Sequence, residues 1–323
     1  MEIKPMISEI KQKIDAAGGL KAVYFVACGG SQAAIYPANY LMESEAKNIA
    51  TGLFNSNEFV HRTPASLNEQ TICIICSLNA TPETVEAVKV ANAKGAITIA
   101  MTGSPDTLMA QTGQYKVVYS NGDNQVYSQA NQAYALKLGF EILHQFEEYE
   151  NYDAAMNAYD KIDGIIDAAK TNLLPQAEAF AKEFKEDEVF YVLGSGPLYG
   201  TAYTMGCCHF MEMQWKHAVV LNSGEYFHGP FETTDKEVAM VLLKSVGRTR
   251  PMDDRAETFL SQYAERFIII DAEDAEVDQI DPSVAEFFNS VVMIPIERYF
   301  VYQMSLARNH SMDDRRYMWK VAY

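Results

Sequence analysis

The segment NSGEYFHGPFE, residues 222–232, concentrates groups that can transfer protons. It holds one histidine, His228, and two carboxylates, Glu225 and Glu232, around a Gly-Pro step. Histidine titrates near neutral pH, so it can serve as an acid or a base under physiological conditions. A further carboxylate, Glu212, lies sixteen residues before His228 in FMEMQW. Such a set is typical of general acid–base chemistry, in which one group removes a proton and another delivers one.

Glu212 is predicted to lie on a helix among apolar side chains. Its neighbours in the sequence are Phe210, Met211, Met213 and Trp215. A carboxylate that is desolvated by such neighbours is a stronger base near neutral pH. From the residues alone, a salt-bridged surface position stays open for Glu212, and a core or capping position stays open for His228.

Two loops of the N-terminal half follow apolar runs and precede helices. Glycines let the backbone turn tightly, and N–H groups at a helix N-terminus bind phosphate oxygens. Hydroxyls at this position either bind such oxygens or cap the helix, and for Thr81 alone capping is favoured. Two loops at the carboxyl ends of parallel strands together favour a ligand. The candidate phosphate-binding residues are Gly29, Gly30, Ser31, Ser77, Asn79 and Thr81.

Short apolar runs alternate with helical stretches, which predicts parallel βαβ units in an α/β fold. The region 132–185 is predicted to be wholly helical, with Pro175 at a helix boundary. The predicted strands are 22–30, 71–77, 96–102, 189–196, 237–245 and 266–273. The other predicted helices are 31–47, 81–95 and about 252–265.

The second half of the chain repeats the first. The separation from the glycine loop to a glutamate is 30 residues from Cys28 to Glu58 and 31 from Gly194 to Glu225. Two landmarks at matched spacing predict two copies of one α/β unit of roughly 130 residues. In the first copy, Glu58 and His61 are interpreted as structural relics of the repeat. The matched segments are VACGG (26–30) with VLGSG (192–196) and NSNEFVH (55–61) with NSGEYFH (222–228).

The formal charge of −17 disfavours nucleic acids and anionic membranes as partners. A small phosphorylated ligand remains compatible with this charge, because backbone N–H groups can hold it. The sequence contains no run of 18 apolar residues, and its N-terminus lacks the features of a signal peptide. We therefore expect a cytoplasmic protein without a membrane-spanning helix.

The sequence also argues against a metal or a cofactor. Cys73 and Cys76 have a CxxC spacing, but they lie in the apolar run TICIICS without a second CxxC or a nearby histidine pair. We interpret them as core cysteines. The loop GSGPLYG, 194–200, departs by one residue from the dinucleotide fingerprint and contains Pro197. We expect no nicotinamide, no other cofactor and no metal.

Several motifs together resemble the sugar isomerase (SIS) family over essentially the whole chain. They are YFVACGGS (24–31), the Ser-to-Thr loop (77–81), HFMEMQWKHA (209–218), GEYFHGP (224–230) and the C-terminal RRYMWKVAY. Within this family the chain is similar to the bacterial deglycases of 6-phosphorylated Amadori compounds, which act on fructose-aspartate, fructoselysine or glucoselysine 6-phosphate. The resemblance implies two tandem SIS domains, each a parallel five-stranded sheet flanked by helices in a flavodoxin-like three-layer arrangement. It implies an N-terminal helix (1–20), SIS domains at 21–160 and 186–305, a connecting helix (161–185) and a tail over the active site (306–323).

The same resemblance implies roles for individual residues. Glu212 would be the base and His228 the acid, while Glu225 would shape the site, for example by accepting hydrogen bonds from backbone N–H groups. Lys320 corresponds to a lysine that reaches over the sugar in SIS isomerases. The alternative for the cluster Arg315, Arg316 and Lys320 is pairing with Asp313 and Asp314. Family members share their sites between subunits, so we expect a homodimer or a larger even oligomer.

Two departures from related SIS proteins refine this interpretation. The glutamine-dependent sister branch has a lysine where this chain has His209, and we expect no glutaminase domain here. The phosphate loop SLNAT lacks the usual glycine, and Asn79 is predicted to supply the left-handed backbone conformation instead. The expected substrate is a phosphorylated sugar–amino acid. An aldose–ketose isomerase or a glucosamine-6-phosphate deaminase-like enzyme is the alternative, and a phosphosugar-sensing SIS protein is disfavoured.

Overall fold

A computed structural model describes residues 2–122 and 124–322 of the chain. Met1, Asp123 and Tyr323 lie outside the described residues, and so do the outer ends of the predicted ranges 1–20 and 306–323. The chain divides into two compact units, Met1–Asp163 and Gly164–Tyr323. The domain boundaries expected from the sequence stay a prediction.

The first unit is built around a parallel sheet in which strand β1 lies between β2 and β3. The strand order is β2-β1-β3-β4-β5. The strands are β1 Ala22–Ala27, β2 Ala50–Asn55, β3 Thr71–Cys76, β4 Ile97–Thr102 and β5 Tyr115–Val118. The helices are α1 Ile3–Ala16, α2 Gly29–Glu45, α3 Ser56–His61, α4 Pro82–Ala93, α5 Leu108–Thr112, α6 Asn131–Glu147 and α7 Tyr152–Tyr159, with a 3-10 turn at Tyr127–Gln129.

The second unit repeats this topology with a smaller parallel sheet. Its strand order is β7-β6-β8-β9. The strands are β6 Val189–Gly194, β7 His217–Asn222, β8 Ala239–Lys244 and β9 Phe267–Asp271. Its helices are α9 Tyr199–Tyr203, a π-helix at Thr204–Met213, α10 Arg250–Tyr263 and α11 Ala285–Arg308, with 3-10 turns at Gly196–Leu198, Pro230–Thr233 and Val277–Gln279. Helix α8, Ile162–Phe184, begins just before the division between the units.

The strands differ in how far their side chains are buried. The strands β1, β3, β4 and β8 are buried along their whole length, as apolar strands covered on both faces must be. The edge strands β2 and β7 are mostly half-buried or exposed. Neither strand was predicted from the sequence, because Thr51 and Gly52 interrupt β2 and the apolar run of β7 is only four residues long, 218–221.

The strand register places the repeated motifs at equivalent positions in the two sheets. Ala27 at the end of β1 pairs with Asn55 on one side and with Cys76 on the other. In the second unit, Gly194 at the end of β6 pairs with Asn222. Each glycine loop and the Asn-Ser segment aligned with it therefore leave neighbouring parallel strands at the same edge of the sheet.

Two expectations about the elements were wrong. The second sheet has four strands among the described residues, because an acidic turn and a 3-10 turn follow β9 where the first unit forms β5. The region 132–185 is largely helical, as predicted, and forms three helices joined by short turns. Pro175 lies inside α8 instead of ending it. Burial of Leu173, Ala177 and Phe180 outweighs a penalty of about 3 kcal/mol for an interior proline.

The CxxC pair is part of the core, as the sequence analysis concluded. Cys73 and Cys76 are fully buried free thiols. Burial raises the pKa of both thiols, that of Cys76 to about 12. Among the described residues, no cluster of His, Cys, Asp and Glu has the composition of a metal site. Across residues 2–122 and 124–322, no helix is both long and apolar enough to cross a membrane.

Candidate active site

The first glycine loop lies directly at the start of α2. Gly29 has a left-handed backbone (φ +54°), and it begins the helix together with Gly30 and Ser31. Cys28 provides no side-chain cap for this helix N-terminus. The first N–H groups of a helix have no intrahelical partner, so this loop can accept an anionic ligand. The Ser31 hydroxyl also hydrogen-bonds to the side chains of Cys76 and Tyr119.

In the second loop, a side-chain hydroxyl accepts a hydrogen bond from the backbone of the same loop. The backbone N–H of Thr81 donates to the Ser77 hydroxyl at 3.1 Å, and Ser77 is buried. The Thr81 hydroxyl does not cap α4, although capping was favoured for this residue alone. It lies 3.0 Å from the hydroxyl of Thr84, which in turn lies 3.0 Å from that of Ser56. Thr81 is exposed, so its hydroxyl can reach a ligand as well.

The left-handed residue of this loop is Ala80 rather than Asn79. Ala80 has φ +53°, while Asn79 is exposed and is not among the described residues with positive φ. The prediction that Asn79 replaces the missing glycine is therefore wrong. An alanine in this region is strained by about 1 kcal/mol because of its Cβ atom. The hydrogen bond from Thr81 to Ser77 holds the strained turn in place.

In the second unit, Glu212 lies on the π-helix that continues α9. Its carboxylate forms an ion pair with Arg315, with Oε1 2.8 Å from Nη2 and 3.0 Å from Nε. Glu212 is partly exposed, at 26% of its side-chain surface, whereas Arg315 is buried. π-Helical segments occur frequently at functional sites.

The environment expected for Glu212 was therefore wrong. Phe210 is fully buried, but Met211, which directly precedes Glu212, is 45% exposed. Neighbours one or two residues apart on a helix do not face each other, so the apolar residues around Glu212 do not enclose its carboxylate. Its charge is balanced by the guanidinium of Arg315 instead. Arg315 contacts Glu212 instead of pairing with Asp313 or Asp314, the alternative considered from the sequence. The Nη1 atom of Arg315 donates to the backbone carbonyls of Met312 and Asp314.

A buried histidine–carboxylate pair anchors the same π-helix. Nδ1 of His209 lies 2.7 Å from Oε2 of Glu297, and both side chains are almost completely buried. Burial raises the pKa of Glu297, and the neighbouring His209 and Arg298 oppose this shift. The other carboxylate oxygen of Glu297 is buried without a partner among the described residues. Sequence reasoning missed Glu297, although a glutamate in the apolar stretch of α11 was a visible signal.

The segment 222–234 is a fixed turn that exposes its histidine. The Asn222 side chain accepts a hydrogen bond from the N–H of Gly224 at 2.8 Å. Tyr226 is fully buried, and its hydroxyl pairs with Thr234. His228 is exposed, and within the described part of the chain its imidazole has no hydrogen-bond partner. The turn therefore presents His228 to solvent on an ordered backbone.

The backbone role expected for Glu225 is performed by Asn222. The Glu225 side chain is exposed and accepts no backbone hydrogen bond among the described residues. In the first unit, Asn55 accepts from the N–H groups of Asn57 and Glu58 in the same way. The repeated Asn is thus the structural element of the motif, and the site role of Glu225 stays a prediction.

The C-terminal tail folds on itself next to the π-helix. The Lys320 ammonium donates to the backbone carbonyl of Arg315 and is exposed. Arg316 stacks on Trp215, with 4.3 Å from its guanidinium carbon to the ring centroid. The positive cluster at 315–320 is therefore bound to the segment that carries Glu212. Among the described residues, no hydrogen bond or ion pair joins Glu212 to His228.

Comparison with known proteins places this geometry in a family. The SIS domain model matches residues 20–138. The fructosamine deglycase FrlB of Bacillus subtilis is 36% identical over 323 residues, covering 100% of this chain and 97% of the relative. The chain belongs to the SIS family, in its deglycase branch.

Two further relatives support this assignment. The fructoselysine 6-phosphate deglycase of Escherichia coli K12 is 24% identical over 297 residues, covering 91% of this chain and 84% of its own length. The crystal structure of a candidate phosphosugar isomerase from Salmonella typhimurium LT2 superimposes with a TM-score of 0.95 at 37% identity. It covers 99% of this chain and 98% of its own. The α/β fold of this SIS protein therefore has a solved relative of similar length.

The ion pair of Glu212 predicts an effect of Arg315 on turnover. We expect Arg315→Met to lower kcat by about tenfold or more with a smaller change in KM, since the carboxylate loses the group that orients it. Arg315→Lys should recover part of the loss. Arg316→Met is the matched control, because its guanidinium stacks on Trp215 and does not contact Glu212. Equal turnover in Arg315→Met and the wild type would contradict the orienting role.

The turn after His228 predicts an effect of Gly229. Gly229 has φ +123°, which L-residues rarely adopt, and an added Cβ would meet no atom within 4 Å. Gly229→Ala should therefore act through backbone strain of about 1–3 kcal/mol, displacing His228 and lowering turnover at least about tenfold. Gly164→Ala, also without a clash but inside α8, should keep turnover and raise the melting temperature. Unchanged turnover in Gly229→Ala would show that the turn does not position His228.

Proposed function

We propose that the protein cleaves a 6-phosphorylated Amadori compound, a ketosamine phosphate carrying an amino acid on its nitrogen, into a hexose 6-phosphate and the free amino acid. The observation that carries this proposal is the 36% identity to a fructosamine deglycase over the full chain. The fructoselysine 6-phosphate deglycase relative indicates the phosphorylated form of the substrate. The partly exposed Glu212 and the exposed His228 are candidates for the base and the acid that this chemistry requires.

The proposed reaction is a reversed Amadori rearrangement. Glu212 removes a proton from C1 of the ketosamine, and the electron pair forms the enaminol. A proton delivered to C2 converts the enaminol into an imine between C1 and the amino-acid nitrogen. Water adds to C1 and the C–N bond breaks, so that the nitrogen leaves with a proton as the free amine and C1 becomes the aldehyde carbon. No net oxidation or reduction occurs, so the sequence of steps balances without a redox partner.

His228 is proposed to transfer the proton to the departing nitrogen or to the sugar ring oxygen. An imidazole suits both steps because it exchanges protons near neutral pH. Arg315 is proposed to hold the Glu212 carboxylate in a fixed orientation before the substrate binds.

The first unit is proposed to contribute phosphate binding. The start of α2 offers the N–H groups of Gly29, Gly30 and Ser31, and the loop before α4 offers the hydroxyl of Thr81. The Ser77 hydroxyl is engaged within its own loop, so we assign it to the shape of that loop. Lys320 is proposed to rearrange towards the sugar when substrate binds, since its present contact is with the tail itself.

An aldose–ketose isomerase is the second candidate, because a relative at 37% identity is described as a candidate phosphosugar isomerase. Both reactions begin with removal of a proton from the carbon atom next to a carbonyl carbon. Glu212 and His228 could therefore act as base and acid in either reaction. The two functions differ in the substrate: the deglycase needs a C–N bond, whereas the isomerase needs only the phosphosugar.

One assay separates these functions. The wild type should release glucose 6-phosphate from at least one of fructoselysine, glucoselysine and fructose-aspartate 6-phosphates, and not from fructose 6-phosphate with ammonia. Glu212→Gln and His228→Gln should each lower kcat at least about a hundredfold, because a general acid or base contributes 10²–10⁴-fold. His61→Gln, at the matching place of the first unit, is the control that should retain activity. Release of glucose 6-phosphate from fructose 6-phosphate alone would favour the isomerase.

We also propose a homodimer, or a larger even oligomer, in which His228 acts in the site of the neighbouring subunit. Its exposed imidazole, which makes no contact with Glu212 of the same chain among the described residues, supports this arrangement. Mixing Glu212→Gln and His228→Gln chains after unfolding and refolding should restore about one quarter of the wild-type activity, since half of the dimers are mixed and each has one intact site. A fully active monomer in light scattering, or no recovery on mixing, would contradict shared sites.

A further inference from the structure

One arginine of the second unit lacks the carboxylate partner that its neighbours have. Arg250 is paired with Asp271 and Glu273. Arg255, one and a half turns further along α10, is exposed, and no carboxylate pairs with it among the residues that the structure describes. In a chain with 43 acidic and 26 basic residues, an unpaired guanidinium is available for an anion from outside the protein.

The guanidinium of Arg255 is held in place by an aromatic ring. Its central carbon lies 3.9 Å from the centroid of the Phe227 ring, which is a close cation–π contact. Phe227 in turn meets Phe259 edge to face, with 5.7 Å between centroids. The cation–π contact occupies one side of the guanidinium, and its N–H groups, which have no carboxylate partner among the described residues, can receive a carboxylate in a bidentate manner.

A hollow of about 430 Å³ opens at this arginine. One wall is a single face of α10, because Arg255, Thr258, Phe259 and Gln262 recur at helical spacing. Phe227, which contacts Arg255 and Phe259, also lines the hollow. The hollow combines one positive charge, a hydroxyl, an amide and two aromatic rings, which is a suitable lining for an amino acid with a carboxylate and a carbon side chain.

The position of the hollow connects it to the proposed chemistry. Phe227 directly precedes His228, so their Cα atoms are about 3.8 Å apart. Of the two roles proposed for His228, proton transfer to the departing nitrogen brings this residue close to the amino acid, which is the group attached to that nitrogen. The substituent of the nitrogen therefore lies on the His228 side of the bond that breaks, next to the residue that stacks on Arg255.

We propose that Arg255 binds the α-carboxylate of an amino acid joined to the sugar through its α-nitrogen, and that Phe227 and Phe259 contact the side chain of that amino acid. This inference rests on the proposed function and adds the substrate class to it. An adduct through a distant side-chain amine would place its carboxylate several bonds further from His228. The substrate carries a second anion, the sugar phosphate. Two substrates that share the phosphate and differ only in the carboxylate show which of these anions Arg255 binds.

The test compares two substrates that differ only in the carboxylate. They are the fructose 6-phosphate adducts of alanine and of ethylamine, which is alanine without its carboxyl group. We expect the wild type to prefer the alanine adduct by about tenfold to a hundredfold in kcat/KM, the range of a charge-assisted hydrogen bond. Arg255→Met should abolish this preference by lowering kcat/KM for the alanine adduct alone. Arg62→Met, an exposed arginine of the first unit, is the control that should keep the preference.

Two outcomes overturn the proposal. An unchanged preference in Arg255→Met shows that the carboxylate is recognised elsewhere, and an equal loss on both adducts shows a phosphate-binding or structural role. Melting temperatures identify a variant that fails to fold, and Arg255→Lys then replaces it. If the wild type turns over neither adduct, the proposed function fails for these substrates. Calorimetric binding of the two adducts to wild type and Arg255→Met still decides whether Arg255 reads the carboxylate.

Discussion

Parallel strand pairing is the constraint on which the rest of each unit depends. Parallel strands cannot be joined by tight hairpins, so a crossover follows each strand and the carboxyl ends collect at one edge of the sheet. In the first unit this constraint brings together the loops that follow Ala27, Asn55 and Cys76. In the second unit it brings the glycine loop after Gly194 next to the turn that begins at Asn222. In each unit the topology therefore brings both repeated motifs, the glycine loop and the Asn-Ser segment, to the same edge of the sheet.

The fully buried strands could be predicted from the sequence, whereas the edge strands β2, β5 and β7 could not. The run TICIICS predicts a strand at 71–77, and β3 occupies Thr71–Cys76. The edge strand β7 has an apolar run of only four residues, 218–221, and so short a run does not distinguish a strand from a helix. Pro175 was predicted to mark a helix boundary, but it lies inside α8, because tertiary packing outweighs the low helix propensity of proline.

The candidate site could be predicted as a list of residues but not as a set of partners. Glu212 was found through its motif, yet its ion-pair partner Arg315 is 103 residues away in the sequence. From the sequence, pairing of that arginine with the adjacent aspartates was only an alternative. The same limit applies to His209 and Glu297, which are 88 residues apart. Both contacts involve the π-helix, one within the core and one at the partly exposed Glu212.

The two copies of the Asn-Ser motif show how one inherited turn leads to two different structures. In the first unit the Asn55 cap begins a helix that continues to His61. In the second unit the same start is interrupted at Gly229, whose positive φ redirects the chain, while Tyr226 fixes the turn in the core. His228 is consequently exposed on a backbone that is ordered before any substrate arrives. The entropy of ordering this turn is lost when the protein folds rather than when a ligand binds, which would favour the proton transfer proposed for His228.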